Sequence, residues 1–270
     1  MSRLDSTFAA LRAGRRTGLV TYVTACDPDR DRSAIVLEAL DRGGADLIEV
    51  GVPFSDPVAD GPVIERAAGR AIAAGGTLAS TLDLVAGVRP KVRAPLVVFT
   101  YLNPVMAMGE RAFAARARAA GVDGVLVLDL PIEEAGPFQA TLAASGLDLI
   151  CLLSPTTTDE RIAKAAAIGS GFLYAISRLG VTGARASLDE GAAGLVSRIR
   201  ARTALPVALG FGLSSPEQVR QAGECADAAV VGSALVRVVE EWAGSPDLAA
   251  RVERCVRWLK GQAAALPEAR

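Results

Sequence analysis

Apolar residues in this chain come in short bursts separated by mixed, Ala- and Arg-rich stretches. Eight bursts read as strands: "LVTYVTA" from Leu19, "DLIEVGV" from Asp46, "PLVVFTY" from Pro95, "GVLVLDL" from Gly124, "DLICLLS" from Asp148, "GFLYAIS" from Gly171, "PVALGFG" from Pro206 and "AAVVGSA" from Ala228. Each is apolar on both sides, as strands of a covered parallel sheet are. Segments between them, such as "RSAIVLEALDRGG" and "GERAFAARARAAG", have helical character, and several end in Gly, a common helix stop. Eight strands alternating with helices predict an α/β fold, a closed (β/α)8 TIM barrel, with residues 1–270 as a single domain. An open doubly wound sheet is the alternative, but no strand runs into a GxGxxG turn. Two helices are added: an N-terminal one in "MSRLDSTFAALRAGRRTG", capped by Ser6 with Phe8 and Leu11 on its apolar side, and an extended C-terminal segment in "DLAARVERCVRWLKGQAAAL".

One strand breaks the apolar rule. Side chains alternate along "DLIEVGV", so Leu47, Glu49 and Gly51 share one face, and Ile48 and Val50 share the other. Ile48 and Val50 suit the outer, helix-covered face. Glu49 then points into the barrel near the C-terminal end of its strand, where barrel enzymes carry catalytic groups. Desolvation there is expected to raise its pKa toward neutrality, fitting it to give and take a proton. A buried Glu paired with an Arg is the structural alternative. The following loop, "PFSDPVADGP", adds Asp56 and Asp60 between prolines. Both suit ordinary turns, and Asp60, before Gly61, is the better placed to reach back over the barrel mouth.

Composition narrows the chemistry. The 270-residue chain has a net charge of −1 and no long basic run, which argues against nucleic-acid or membrane-surface binding. No apolar run approaches the roughly 18 residues of a membrane span, and the N-terminus lacks a secretory core, so a cytoplasmic location is expected. Cys26, Cys151, Cys225 and Cys255 are scattered without metal or redox spacing and read as small buried residues. There is no histidine, and the only lysines, Lys91, Lys164 and Lys260, fall outside the predicted strand ends. A Schiff base is therefore unsupported, and the commonest metal ligand and general base is missing. An all-carboxylate magnesium site is the remaining metal alternative. Acid–base chemistry by carboxylates, without metal or cofactor, is the expectation.

Three late loops are rich in Gly, Ser and Thr: "SRLGVTGARAS", "GFGLSSPEQ" and "GSALVRVV", after the sixth, seventh and eighth strands. Such loops, with a helix N-terminus, form phosphate cups in barrels. A phosphorylated small molecule is the expected substrate.

The residues that carry this reading also carry a resemblance. "LIEVGVPFSDPVADGP" is similar to the signature of the tryptophan synthase alpha subunit family, and "TYVTACDPD", "FTYLNPV", "GVLVLDLPIEE", "FLYAISRLGVTGAR" and "ALGFGLSSPEQV" resemble the family's segments in the family's order. The resemblance implies a lyase that cleaves indole-3-glycerol phosphate to indole and glyceraldehyde 3-phosphate. It implies that Glu49 is the acid–base residue and that Asp60 holds the indole N–H. It assigns Tyr22, Phe99, Leu126, Tyr174 and Phe211 to the indole pocket or barrel mouth. Gly183, Gly212, Gly232 and Ser233 fall to the phosphate cup, Thr182 to a loop closing over the site and engaging Asp60, and Arg178 to the shape of that loop. It implies a beta-subunit partner in an alpha-beta-beta-alpha heterotetramer, with pyridoxal phosphate only in the partner, and contacts from Pro53, Asp56 and Asn103. Cys26 stands where the family commonly has Gly, and Leu179 where small or polar residues are usual. Rival readings are a stand-alone lyase releasing free indole, an isomerase or aldolase-like barrel for another phosphosugar, and an inactive regulatory barrel.

Overall fold

The structure, a computed structural model, describes residues 2–176, 190–210 and 212–264. Eight parallel strands close in sequence order into a barrel: β1 (Gly18–Thr24), β2 (Leu47–Gly51), β3 (Leu96–Thr100), β4 (Gly124–Val127), β5 (Asp148–Leu153), β6 (Leu173–Ile176), β7 (Val207–Gly210) and β8 (Ala228–Val231). Helices separate the strands. All eight apolar bursts are strands, and each stops earlier than the pattern predicts. Residues past the strand ends, such as Leu128, Ser154, Gly212, Gly232 and Ser233, leave the ladder to form the mouth.

Register fixes what faces inward. Leu47 of β2 pairs with Val20 of β1, and Glu49 pairs with Tyr22 and with Val97 of β3. Val20, Leu47, Val97, Leu126, Ile150, Tyr174, Ala208 and Val230 pack as one cluster inside the barrel. Ile48 and Val50 belong to the separate layer between strands and helices. The faces of β2 are those read from alternation.

The N-terminal helix, Arg3–Ala13, closes the barrel's lower end: Leu4, Phe8 and Leu11 join the inner cluster, and the Phe8 and Phe172 rings lie 5.5 Å apart. Its cap differs from the expected one. Ser2, not Ser6, accepts from the Asp5 backbone N–H, and the Asp5 carboxylate accepts from the Ser2 backbone N–H, a reciprocal box one turn earlier. Ser6 lies within the helix and donates to Ser2 O. The C-terminal helix, Leu248–Leu259, packs on the helix Arg30–Gly43. Gly43 permits the approach, because a Cβ there would come within 2.7 Å of the Val256 Cβ. Lys260 then donates to Asp46, at 2.9 Å, below the barrel. Asp46 also accepts from Leu19 N, so this acid and this lysine are structural.

Cys26 answers its own departure. Its φ is +61°, the left-handed region that favours glycine, and a side chain is nonetheless accommodated there. Its backbone N–H donates to Ser33 Oγ.

Candidate active site

Two carboxylates, three aromatic rings and two glycine-containing turns meet in one pocket at the C-terminal ends of the strands. It is lined by Tyr22, Glu49, Asp60, Phe99, Tyr174, Gly212, Gly232 and Ser233, together with Ala59, Ile64, Leu128, Leu213, Val230, Ala234 and Arg237.

Glu49 is the deepest polar group. It is fully buried, and neither carboxyl oxygen has a hydrogen-bonding partner. Among the described residues no arginine pairs with it, so the buried ion-pair alternative is not what they show. Burial alone pushes its pKa up to about 8. At neutral pH it is a carboxylic acid with a proton to give.

The wall around Glu49 is aromatic. Tyr22 and Phe99 meet edge to face with centroids 5.4 Å apart. Two glycines make the room: a Cβ on Gly51 would overlap the Tyr22 hydroxyl, and one on Gly210 would overlap that of Tyr174. Each tyrosine thus lies over a bare Cα on the strand beside its own. Both phenols are pushed well above their ordinary pKa, first by burial, with the nearby carboxylate charge adding to it, so they remain protonated.

Asp60 belongs to the loop after β2 and is only half-buried. Its pKa rises to about 6, mainly through burial and secondarily through Glu65, while the Tyr101 hydroxyl pulls it down. Tyr101 also accepts from Ala59 N at 3.2 Å, and its ring lies 5.0 Å from Phe54. One tyrosine therefore pins both ends of the acid-bearing loop to the end of β3. The sequence reading did not single out Tyr101; its only signal is its place between two motif residues in "FTYLNPV". Tyr101→Phe keeps the ring and removes the hydroxyl. The acid limb of the pH–rate profile is then expected to move upward by about half a unit to one unit, the scale of one net hydrogen bond. An unmoved limb means the hydroxyl does not tune Asp60.

Leu126 is placed differently from expectation. It is fully buried in the inner cluster, below the pocket. Leu128, the next inward position along the same direction, lines the pocket instead. Pro53 is buried within the chain, with its ring against Gly76. Asp56 and Asn103 are exposed, and Ser55 Oγ donates to Asp56 at 2.6 Å. Arg178, Leu179, Thr182, Gly183 and Phe211 lie outside the described residues.

Of the residues expected at a phosphate cup, Gly212, Gly232 and Ser233 line the pocket. Gly212 has φ +82°, open to glycine without cost. Helix Ser233–Trp242 begins with no side-chain cap and no acid in its first turn, so its free N–H groups and positive dipole end face the pocket. Among the described residues no group of three or more acids and cysteines is placed to hold a metal ion. No single described helix is long and apolar enough to cross a membrane.

A closed barrel with a pocket at the C-terminal strand ends, holding two acids and glycine-bearing turns at β7 and β8, defines a TIM barrel with the pocket where such barrels carry their active sites. The family model of the tryptophan synthase alpha chain matches residues 8–264. The tryptophan synthase alpha chain of Geotalea daltonii is 48% identical over 265 residues, covering 98% of this chain and 100% of that one. That of Burkholderia mallei is 51% identical over 243 residues, 89% of each chain. The crystal structure of tryptophan synthase subunit alpha from Legionella pneumophila superposes with a TM-score of 0.88 at 33% identity, over 97% of this chain and 98% of that one. Tryptophan synthase of Mycobacterium tuberculosis gives 0.88 at 39% identity, over 96% and 98%. The chain belongs to the tryptophan synthase alpha chain family, lyases of tryptophan biosynthesis.

Proposed function

We propose that this pocket cleaves the carbon–carbon bond of indole-3-glycerol phosphate by carboxylate acid–base catalysis, with no cofactor in this chain. The observation that carries it is the pairing of Glu49 and Asp60 in one aromatic-walled pocket, with proton affinities on either side of neutrality. Neutral Glu49 gives its proton to C3 of the indole ring. Ionised Asp60 accepts a hydrogen bond from the ring N–H and stabilises the positive charge that develops there. The C3–glycerol bond then breaks. Its electron pair returns to the ring, and the glycerol hydroxyl becomes the aldehyde as its proton leaves. Glu49, now a carboxylate in an apolar wall, is the group with the affinity to take that proton, which resets the site. Tyr22, Phe99, Tyr174 and Leu128 supply the flat apolar walls that an indole needs, and Gly212, Gly232 and Ser233 the phosphate end.

The product is handed to a pyridoxal-phosphate beta subunit in an alpha-beta-beta-alpha assembly. The two most exposed large apolar side chains among the described residues support a partner surface here. Val58 is 83% exposed on the Asp60 loop and Met106 63% exposed on the helix Leu102–Met108, close in sequence to Asp56 and Asn103. Tyr101 joins these two segments. The setting is cytoplasmic.

Steady-state cleavage of indole-3-glycerol phosphate, with and without added beta subunit, tests the reading. The competent form needs Asp60 ionised and Glu49 protonated, so the rate is expected to be bell-shaped, rising through about pH 6 and falling through about pH 8. No cleavage in either condition sinks the proposal. Indole released equally fast by the isolated chain assigns it to the stand-alone alternative.

A further inference from the structure

The pocket has an electrostatic problem. It carries the ionised Asp60 and Glu49, which becomes a second carboxylate once its proton is given, and it is to receive a phosphate dianion as well. Among the described residues that line it, Arg237 is the only cation. It sits in helix Ser233–Trp242, four residues after Ser233. Residues four apart share a helix face, and side chains lean toward the N-terminus. Arg237 therefore leans toward Ser233 and Gly232, the uncapped, acid-free turn that forms the phosphate end.

Arg237 is also uncommitted. Two other arginines at this side of the barrel are fully engaged. Arg66 holds Glu240 through two hydrogen bonds of 2.8 Å each, and Arg70 holds both Asp27, at 2.8 and 2.9 Å, and Glu240, at 2.7 Å. Glu240 lies three residues after Arg237, within reach on a helix, but it is claimed by those two arginines. Arg237 takes part in no ion pair or hydrogen bond among the described residues, and its side chain is exposed at the pocket rim. The Arg66–Glu240–Arg70 network thus keeps Glu240 from drawing Arg237 off the pocket, and the exposed Glu241, four residues after Arg237, is not paired with it.

We propose that Arg237 is a specificity-determining residue for the phosphoryl group of the substrate. Its guanidinium meets the phosphate oxygens that the backbone N–H groups of Gly232 and Ser233 do not cover. The charge-assisted pair draws the anionic end of the substrate away from the two acids. The inference rests on the reading of the site given above and adds to it a charge the glycine turns lack. Arg237 stands apart from the reacting carbons, so it sets binding, not the chemical step.

Arg237→Gln and Arg237→Lys are to be compared with wild type, using the full chain with its beta subunit and two substrates, indole-3-glycerol phosphate and the same molecule without phosphate. In Arg237→Gln, KM for the phosphorylated substrate is expected to rise about tenfold with kcat little changed, on the scale of one charge-assisted bond at a screened site. Lys recovers most of the loss, and kcat/KM for the dephosphorylated substrate stays level. Titration of the full chain with inorganic phosphate, followed by calorimetry, is the activity-free readout: Arg237→Gln binds it about tenfold more weakly and with a shallower salt dependence. An unchanged KM and phosphate affinity, or an equal loss on both substrates, overturns the proposal. A wild-type chain that binds phosphate through Arg237 but cleaves neither substrate sinks the lyase reading and leaves this one standing.

Discussion

Glu49→Gln is expected to lower cleavage of indole-3-glycerol phosphate by about 10²- to 10⁴-fold, the range for removing a positioned general acid–base group. The substitution keeps shape and volume but takes away the transferable proton. KM should change far less, because in the proposed reaction the carboxyl meets only the reacting centre. Loss of fold is separable from loss of chemistry here, since the variant is expected to be more stable than wild type in alkali. Burial raises the Glu49 pKa from 4.5 to about 8. The folded chain therefore holds a proton that the unfolded chain releases above its own value. The stability tied to that proton is complete below about pH 4.5 and is lost as pH rises toward about 8. The loss is on the order of 3–5 kcal/mol, and a glutamine does not suffer it. Thermal melts of the two proteins should converge near pH 5, with the variant several degrees higher near pH 9. Cleavage within a few-fold of wild type would remove Glu49 from the mechanism.

The second large effect is expected of Asp60→Asn, a fall in kcat of about 10²- to 10³-fold, the loss seen when one electrostatic group facing a developing charge is removed. Asparagine still accepts a hydrogen bond from an indole N–H, so ground-state binding should largely persist. What it lacks is the negative charge that matters once the ring is protonated. The low-pH limb of the rate profile, assigned to Asp60 by its pKa of about 6, should flatten, while the limb near 8 stays. Retention of that low-pH limb would assign it to another group. Tyr101→Phe separates position from charge: it leaves the carboxylate in place and shifts only its titration.

Periodicity and alternation made the barrel and the inward Glu49 legible. Both are local properties, and the register of β2 with β1 and β3 obeys them. The lone acid in an apolar strand was readable for the same reason. What escaped depends on distances across the fold. Leu126 on β4 and Leu128 just past its end have the same parity, and only the depth of the barrel decides which one meets the pocket. Ser2 and Ser6 are both reasonable caps until the helix start is seen. Pro53 looks like a loop residue, yet the packing of Gly76 buries it. Tyr101 and Arg237 are ordinary in sequence. One matters because a loop 42 residues earlier folds onto its hydroxyl. The other matters because two arginines from another helix occupy its acidic neighbour.

The different depths of the two acids have a consequence for the conditions in which such an enzyme works. A chain without imidazole has no side chain that ordinarily titrates near neutrality. Here immersion supplies the setting. The carboxyl sealed at the strand end holds its proton most tightly, and the one on the half-open loop holds it less. The operating pH is thus written into how much hydrocarbon surrounds each group, not into the choice of acid. A relative adapted to a more acidic or more alkaline interior could keep both residues unchanged and alter only the bulk of the wall around them. Mutations at the rim that admit or exclude water would then act as adjustments of working pH, at positions that touch no substrate.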